Sequence, residues 1–226
     1  MTDRRHLNAQ RATVPAPASA HPRPLPDWWT LEGLGDEPVF VVGGGPNAAG
    51  FPWERLRGRR VVLAGHQADV VHHACAVVGV DRRFWGWAAH REYGWDPAEL
   101  PGEMVWPRAG HSLPHPWLRH VERAASAWSF TLNMLPGQHS GLAALNLARL
   151  LTRGTVYLVG FDCRRLGEQQ TWHHGGHPGP SQPASVYDRF ALSLHKAATW
   201  AGDVRHLTTP TALDWWPAAT MKEALG

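Results

Sequence analysis

The chain has 226 residues, 43% of them hydrophobic, which is enough for one α/β domain with a sizeable core but too little for two full domains. No apolar run reaches the roughly 20 residues that span a membrane, and the polar N-terminus predicts no secretory signal. The two cysteines make neither a disulfide framework nor a zinc ribbon, so we expect a protein of the reducing cytoplasm. The formal net charge of +3 permits contact with a nucleotide or nucleic acid without requiring it.

Apolar runs, turn residues and helical spacing predict the elements along the chain. Residues 1–26 are rich in Ala, Pro and Arg and predict a disordered arm, and residues 27–226 a single nucleotide-binding domain. A helix is predicted to begin at Ser140 as N-cap and to end at Gly154. The other predicted helices are 185–201 and 221–225, and the predicted strands are 39–42, 61–65, 74–80, 103–106, 156–159 and 204–207.

This alternation of short strands and helices is typical of the α/β class. It predicts a Rossmann-like, mostly parallel sheet with helices on both faces. Ligands of such sheets bind at the carboxyl ends of the strands. The polar or glycine residues predicted at that edge are Gly43 to Asn47, His66, Gln67, Asp81 and Asp162.

The segment Gly43-Gly44-Gly45-Pro46-Asn47 follows the first strand and is neither a GxGxxG nor a Walker A motif. Glycine lets the backbone approach a ligand, and the turn is expected to leave N–H groups unpaired, for which phosphate is a natural partner. Ser140 and Gly141 offer a hydroxyl and free N–H groups to a second anionic or ribose group. The alternatives are a tight turn without ligand for the first segment and an ordinary helix cap for the second.

Two carboxylates and two histidine-containing segments are further candidates. Asp81 and Asp162 each end an apolar run and hold a ribose hydroxyl, a base or a metal, or else cap the next helix. His66 and Gln67 contact a base or ribose, or are plain loop residues. The segment WHHGGHPGPSQP contains His173, His174 and His177. These three predict one catalytic imidazole on a mobile loop, a metal site, or a solvated loop without chemistry.

Three blocks of the sequence resemble one family. They are VFVVGGGPN, HSGLAALNLARLLTRGTVYLVGFDC and VRHLTTPTALDWWP, within residues 38–217. They are similar to blocks of small bacterial and phage-associated proteins related to the lipo-oligosaccharide sialyltransferases and the 6-hydroxymethylpterin diphosphokinase-like proteins. The resemblance implies that Gly43, Gly45 and Asn47, where the family has Ser, lie at the phosphate of a nucleotide-sugar donor. It also implies that Ser140 and Gly141 hold the nucleotide, and that one of the three histidines is the general base.

We therefore predict a transferase that uses a nucleotide-activated donor, a glycosyltransferase that moves a sugar to an acceptor hydroxyl. Asp162 is a further catalytic candidate, and no obligatory metal is predicted because no Asp-x-Asp motif is present. The Trp-rich and Arg-rich segments suit a glycan acceptor or a modified nucleic acid, such as a hydroxymethylated DNA base of a phage. No membrane partner is predicted.

Two other functions are kept open. A Mg²⁺-dependent diphosphotransferase acting on a small hydroxymethyl compound requires Asp81 and Asp162 close together near the phosphates. A non-catalytic nucleotide- or nucleic-acid-binding protein requires no chemistry from the histidine segment.

Overall fold

The computed structural model describes residues 35–65, 72–108, 113, 115–164 and 183–226. Within these ranges the strands are β1 (Val39–Val42), β2 (Arg60–Ala64), β3 (Ala76–Val78), β4 (Glu103–Arg108), β5 (Leu118–Ala124), β6 (Met134–Pro136), β7 (Val156–Val159) and β8 (Val204–His206). The α-helices are α1 (Arg82–Ala89), α2 (Ser140–Leu151), α3 (Ala184–Ala201) and α4 (Met221–Leu225), and 3₁₀ turns lie at Pro46–Ala48 and Trp53–Leu56.

The strands described above form one sheet in the order β6-β5-β4-β3-β2-β1-β7-β8. Every neighbouring pair is parallel, and β1 lies between β2 and β7 with Phe40 opposite Val61 on one side and Tyr157 on the other. The predicted α/β class with a Rossmann-like parallel sheet is confirmed.

Helices cover both faces of the sheet, because the central strands are apolar on both sides. Val39 and Val41 point to the face that packs against α2 and α3. Phe40 and Val42 alternate to the opposite face, which packs against α1 and α4. All four side chains of β1 are fully buried, so the end of this strand is held rigidly from both layers. In the described part of the chain, no helix combines the length and apolarity that crossing a bilayer needs.

The structure departs from the predicted elements in four places. Strands β5 and β6 and helix α1 were not predicted. Gly154 does not end α2: the helix ends at Leu151, and Thr152 is already extended. Gly154 instead lies against the backbone of Asp36, where a Cβ atom would come within 2.0 Å of the Asp36 carbonyl oxygen. The predicted arm, residues 1–26, lies outside the described residues.

Candidate functional site

The chain reverses its direction across the sheet at β1. It builds the sheet outward from β1 to β6, then returns to add β7 and β8 on the other side of β1. In open parallel sheets this topological switch point is where ligands bind, just beyond the carboxyl ends of the strands. The segments Gly43 to Asn47 and Gly160 to Asp162 leave β1 and β7 at this point.

Three hydrogen bonds donated by backbone N–H groups join the glycine segment to the end of β7 and to the residues that follow it. The Gly43 N–H donates to the Val159 carbonyl at 2.8 Å, and the Gly45 N–H to the Gly160 carbonyl at 2.8 Å. The Asn47 N–H donates to Oδ2 of Asp162 at 2.7 Å. The expectation that the turn leaves its N–H groups unpaired is therefore wrong for Gly43, Gly45 and Asn47, whose N–H groups bond to the protein itself.

Gly44 differs from its two neighbours. Its backbone is half-exposed, and its N–H donates to no acceptor among the residues that the structure describes. Successive N–H groups of an extended segment point to opposite sides. Since the neighbours donate toward β7, the Gly44 N–H is inferred to point away from β7, where the described residues provide it with no acceptor.

The glycines are needed because the two segments pack backbone against backbone. A Cβ atom on Gly43 or on Gly45 would come within 2.6 Å of the Gly160 carbonyl oxygen. Gly160 itself has φ of +67°, a conformation that favours glycine. The three glycines thus have a structural reason that is independent of any ligand.

The ring of Phe161 connects this segment to the start of α2. Cβ atoms built on Gly43 and Gly141 would lie 3.0 Å and 3.1 Å from atoms of that ring. Phe161 is buried, with 6% of its surface exposed. The two predicted walls of the nucleotide pocket, Gly43–Asn47 and Ser140–Gly141, therefore lie beside the same side chain.

Ser140 has a different role from the predicted one. The N-cap of α2 is His139, whose side chain accepts the Leu142 N–H. Ser140 is the first helical residue, and its Oγ accepts the Val80 N–H at 3.2 Å, beyond the end of β3. The N–H groups of Ser140 and Gly141 donate to no acceptor within the described ranges, as is usual for the first turn of a helix. The hydroxyl is thus engaged by the protein, while the two N–H groups keep their predicted role as candidate donors.

His139 was not a predicted site residue, and its imidazole is neutral. Burial lowers its pKa to about 3. Nδ1 accepts the Leu142 N–H at 3.2 Å, so the proton sits on Nε2, which lies 2.6 Å from Oγ of Ser193 in α3. Ser193 in turn donates to the Phe190 carbonyl. His139 therefore fixes the start of α2, and the one sequence signal for it was its place directly before the Ser-Gly pair.

The Asp162 side chain is 1% exposed. Its Oδ1 has no hydrogen-bond partner among the described residues, and neither has the buried Nε of Arg164. Burial raises the pKa of Asp162 to about 6, opposed by the Asn47 N–H and the charge of Arg164. Burial thus disfavours the charged form of Asp162, while Asn47 and Arg164 favour it.

The segment 208–213 closes the site from the side of β8. The Thr208 hydroxyl accepts the Gly160 N–H at 2.8 Å, and the Thr211 hydroxyl donates to the Phe161 carbonyl at 2.8 Å. The Asp162 carbonyl accepts the Ala212 N–H at 2.9 Å. The end of β7 is therefore held on both sides, by the glycine segment and by this one.

Asp81 adopts the capping alternative. Its carboxylate accepts the Arg83 N–H at 2.8 Å and pairs with the Arg83 guanidinium. The strand before it, β3, is three strands away from β7, a separation of roughly 14 Å between strand axes. No group of three metal-ligating His, Cys, Asp or Glu side chains occurs among the described residues. His66, Gln67, His173, His174 and His177 lie outside those residues.

No protein-family model matches the chain, and neither a curated protein nor a solved structure is significantly similar to it. The resemblance of its sequence blocks to the sialyltransferase and diphosphokinase-like proteins therefore stays a prediction.

Proposed function

We propose that this protein is a transferase that binds a nucleotide-activated sugar beyond the ends of β1 and β7 and moves the sugar to an acceptor hydroxyl. The observation that carries the proposal is that two segments predicted to line one nucleotide pocket lie beside the same buried ring. A Cβ atom on Gly43 or on Gly141 would touch Phe161 from the two segments. Their remaining N–H groups, on Gly44, Ser140 and Gly141, suit the phosphate oxygens of the donor.

The catalytic step requires two contributions from the protein. The leaving nucleotide gains negative charge at its phosphate, which N–H groups and the positive end of the α2 dipole stabilise. A general base takes the proton of the acceptor hydroxyl as the new glycosidic bond forms and the bond to the phosphate breaks. His173 or His174 remains the proposed base, because an imidazole titrates near neutral pH.

The diphosphotransferase has less support. It needs two carboxylates on Mg²⁺ near the phosphates, but the Asp81 carboxylate caps α1 and pairs with Arg83. Asp162 accepts the Asn47 N–H, so the hydrogen bonds described for the two carboxylates go to different segments.

Thermal-shift screening tests the donor class. UDP-, GDP- and CMP-sugars and ATP are compared with and without Mg²⁺, and we expect one nucleotide-sugar to raise the melting temperature without Mg²⁺. Stabilisation by ATP with Mg²⁺ alone would favour the diphosphotransferase. If no nucleotide stabilises the protein, the proposal is wrong.

A negative charge placed at the start of α2 tests whether the donor's phosphate binds there. Ser140→Asp puts a carboxylate at the first helical position, where it favours the helix dipole but repels a phosphate. We expect the affinity for the stabilising donor to fall at least tenfold while the melting temperature without ligand stays within a few degrees. Thr199→Asp is the matched control, since it adds the same charge to an exposed site of α3 near the opposite edge of the sheet, and it should bind normally.

The base is tested separately. His173→Ala and His174→Ala should be measured for sugar transfer and for donor binding. We expect loss of turnover in at least one variant with donor affinity unchanged, and full activity in both would contradict the assignment.

A further inference from the structure

We propose that Asp162 is a positioning residue: its side chain holds Gly43–Asn47 against the end of β7, so that Gly44 is the residue of this segment that faces the ligand. The inference rests on the proposed function for the identity of that ligand. It replaces the predicted catalytic role of Asp162 and the predicted phosphate contacts of Gly43, Gly45 and Asn47.

Asp162 and Asn47 connect three separate segments. Oδ2 of Asp162 accepts the Asn47 N–H at 2.7 Å, and the Asn47 side-chain amide donates to the Pro210 carbonyl. The Asp162 carbonyl accepts the Ala212 N–H at 2.9 Å. Asp162 therefore fixes the end of the glycine segment, the exit of β7 and segment 208–213 relative to one another.

We call the hydrogen bond between Asp162 and Asn47 the clamp; it orients the segment together with two backbone bonds to the end of β7. Gly45 is extended, with φ of −67° and ψ of 146°, so N–H groups alternate in direction along it. The donations of Gly43 and Gly45 to carbonyls at the end of β7, followed by that of Asn47 to Asp162, occupy one side. Gly44 is left on the other side, and of these three bonds the one between Asn47 and Asp162 is the bond that depends on a side chain.

A direct catalytic role fits the position of Asp162 poorly. A general base must reach the proton that it removes, but only 1% of the Asp162 surface is exposed. Its Cγ also lies only 2.7 Å from where a Cβ atom of Gly45 would stand. The carboxylate is thus packed under the glycine segment, where it acts on the ligand through that segment.

A carboxylate makes a stronger anchor than a neutral group, because hydrogen bonds to an ionised acceptor are roughly twice as strong as neutral ones. The groups that face it are the Arg164 guanidinium, which favours the charge, and the neighbouring Cys163 thiol. Burial opposes the charge. The free-energy cost of burying this charge is explained if the charge orders the segment that is proposed to bind the ligand.

Amide hydrogen exchange tests the clamp without needing any ligand or activity. Exchange at Gly43, Gly45 and Asn47 is compared in the native protein, Asp162→Ala, Asp162→Asn and the control Asp203→Asn. Asp203 binds Thr155 and Arg205 just before β8, at the amino edge of the sheet. We expect Asp162→Ala to speed exchange at these amides at least tenfold. Asp162→Asn, which keeps an oxygen acceptor, should restore most of the protection.

Donor binding and turnover complete the test, with UDP-, GDP- and CMP-sugars as probes because their phosphodiesters do not titrate near neutral pH. We expect the donor dissociation constant to rise at least tenfold in Asp162→Ala and less in Asp162→Asn, with turnover at saturating donor changed less than threefold. The affinity of the native protein should also weaken below pH 6, and that of Asp162→Asn should not.

The outcomes separate the two proposals. Unchanged amide exchange in Asp162→Ala overturns the clamp whether or not any donor binds. Turnover lost a thousandfold with donor affinity intact makes Asp162 a catalytic base and overturns the clamp as well, while leaving the proposed function standing. Faster exchange in a protein that binds none of the donors supports the clamp and contradicts the proposed function.

Discussion

The imidazole Nε2 of His139 lies 2.6 Å from the hydroxyl oxygen of Ser193. This contact ties the first turn of α2 to the middle of α3, and the His139 ring also packs on Phe190 with the ring centroids 4.5 Å apart. Because Gly141 follows two residues later and lies beside Phe161, the position of the start of α2 depends on the buried His139.

Removing the His139 side chain should destabilise the protein. His139→Ala loses the N-cap, worth about 1 kcal/mol, and buried packing against Phe190, so we expect a loss of about 3 kcal/mol in the free energy of unfolding. Ser193→Ala leaves Nε2 without an acceptor and should cost about 1–2 kcal/mol. Urea unfolding measures both, with the exposed Thr199→Ala as control. Equal stabilities for all three variants would contradict the contact.

His139 should also make the protein sensitive to acid. Its pKa is about 3 in the folded protein against an ordinary 6.5, so below pH 6.5 the unfolded state binds the extra proton. This contribution to stability is present above pH 6.5 and falls by about 1.4 kcal/mol per pH unit below it. His139→Asn keeps a capping side chain and cannot titrate. Its unfolding free energy should decline less between pH 7 and pH 4.5, and parallel declines would exclude His139 as the cause.

Asp162 should have the opposite effect on how stability depends on pH. Its pKa is about 6 when folded and 3.8 ordinarily, so between these values the folded state binds more protons and its stability falls as pH rises. Above pH 6 the ionised carboxyl lowers the free energy of unfolding by about 3 kcal/mol. We expect Asp162→Asn to be more stable than the native protein at pH 8 and to lose this advantage at pH 4. A variant less stable at both pH values would show that the charge is not costly.

Much of the fold was predictable because the central strands are continuous apolar runs. Val39 to Val42 and Val156 to Val159 are buried on both faces and read as strands without ambiguity. The strand β5, with the sequence LRHVERA, was missed because it lies near the sheet edge and is only partly buried. The edge strand β6 has three residues, which is too short for a periodic pattern.

The proximity of the two segments was predictable, but their side-chain contacts were not. The sequence indicates that Gly43–Asn47 and Asp162 follow strands, and the parallel sheet brings the two ends together. It does not indicate that Asn47 donates to Asp162, because the two are 115 residues apart and the contact depends on strand order. His139 was missed as N-cap because Ser, the residue after it, is the commoner capping type.

The last prediction compares two glycines with opposite surroundings. A Cβ atom on Gly45 would meet the Gly160 carbonyl oxygen at 2.6 Å, whereas one on Gly86 in α1 meets nothing within 4 Å. Gly45→Ala should therefore force the two segments apart and cost about 1–3 kcal/mol. Gly86→Ala should stabilise by roughly 0.5–1 kcal/mol, because alanine favours a helix interior.

Urea unfolding of both variants measures these changes, and amide exchange at Asn47 reports whether the segment has moved. We expect faster exchange at Asn47 in Gly45→Ala alone, since that substitution pushes directly on the Asp162 carboxylate. A Gly45→Ala protein of native stability and exchange would mean that the glycine segment does not pack against β7 in solution. The glycines would then be free to contact a ligand directly, as their sequence alone suggests.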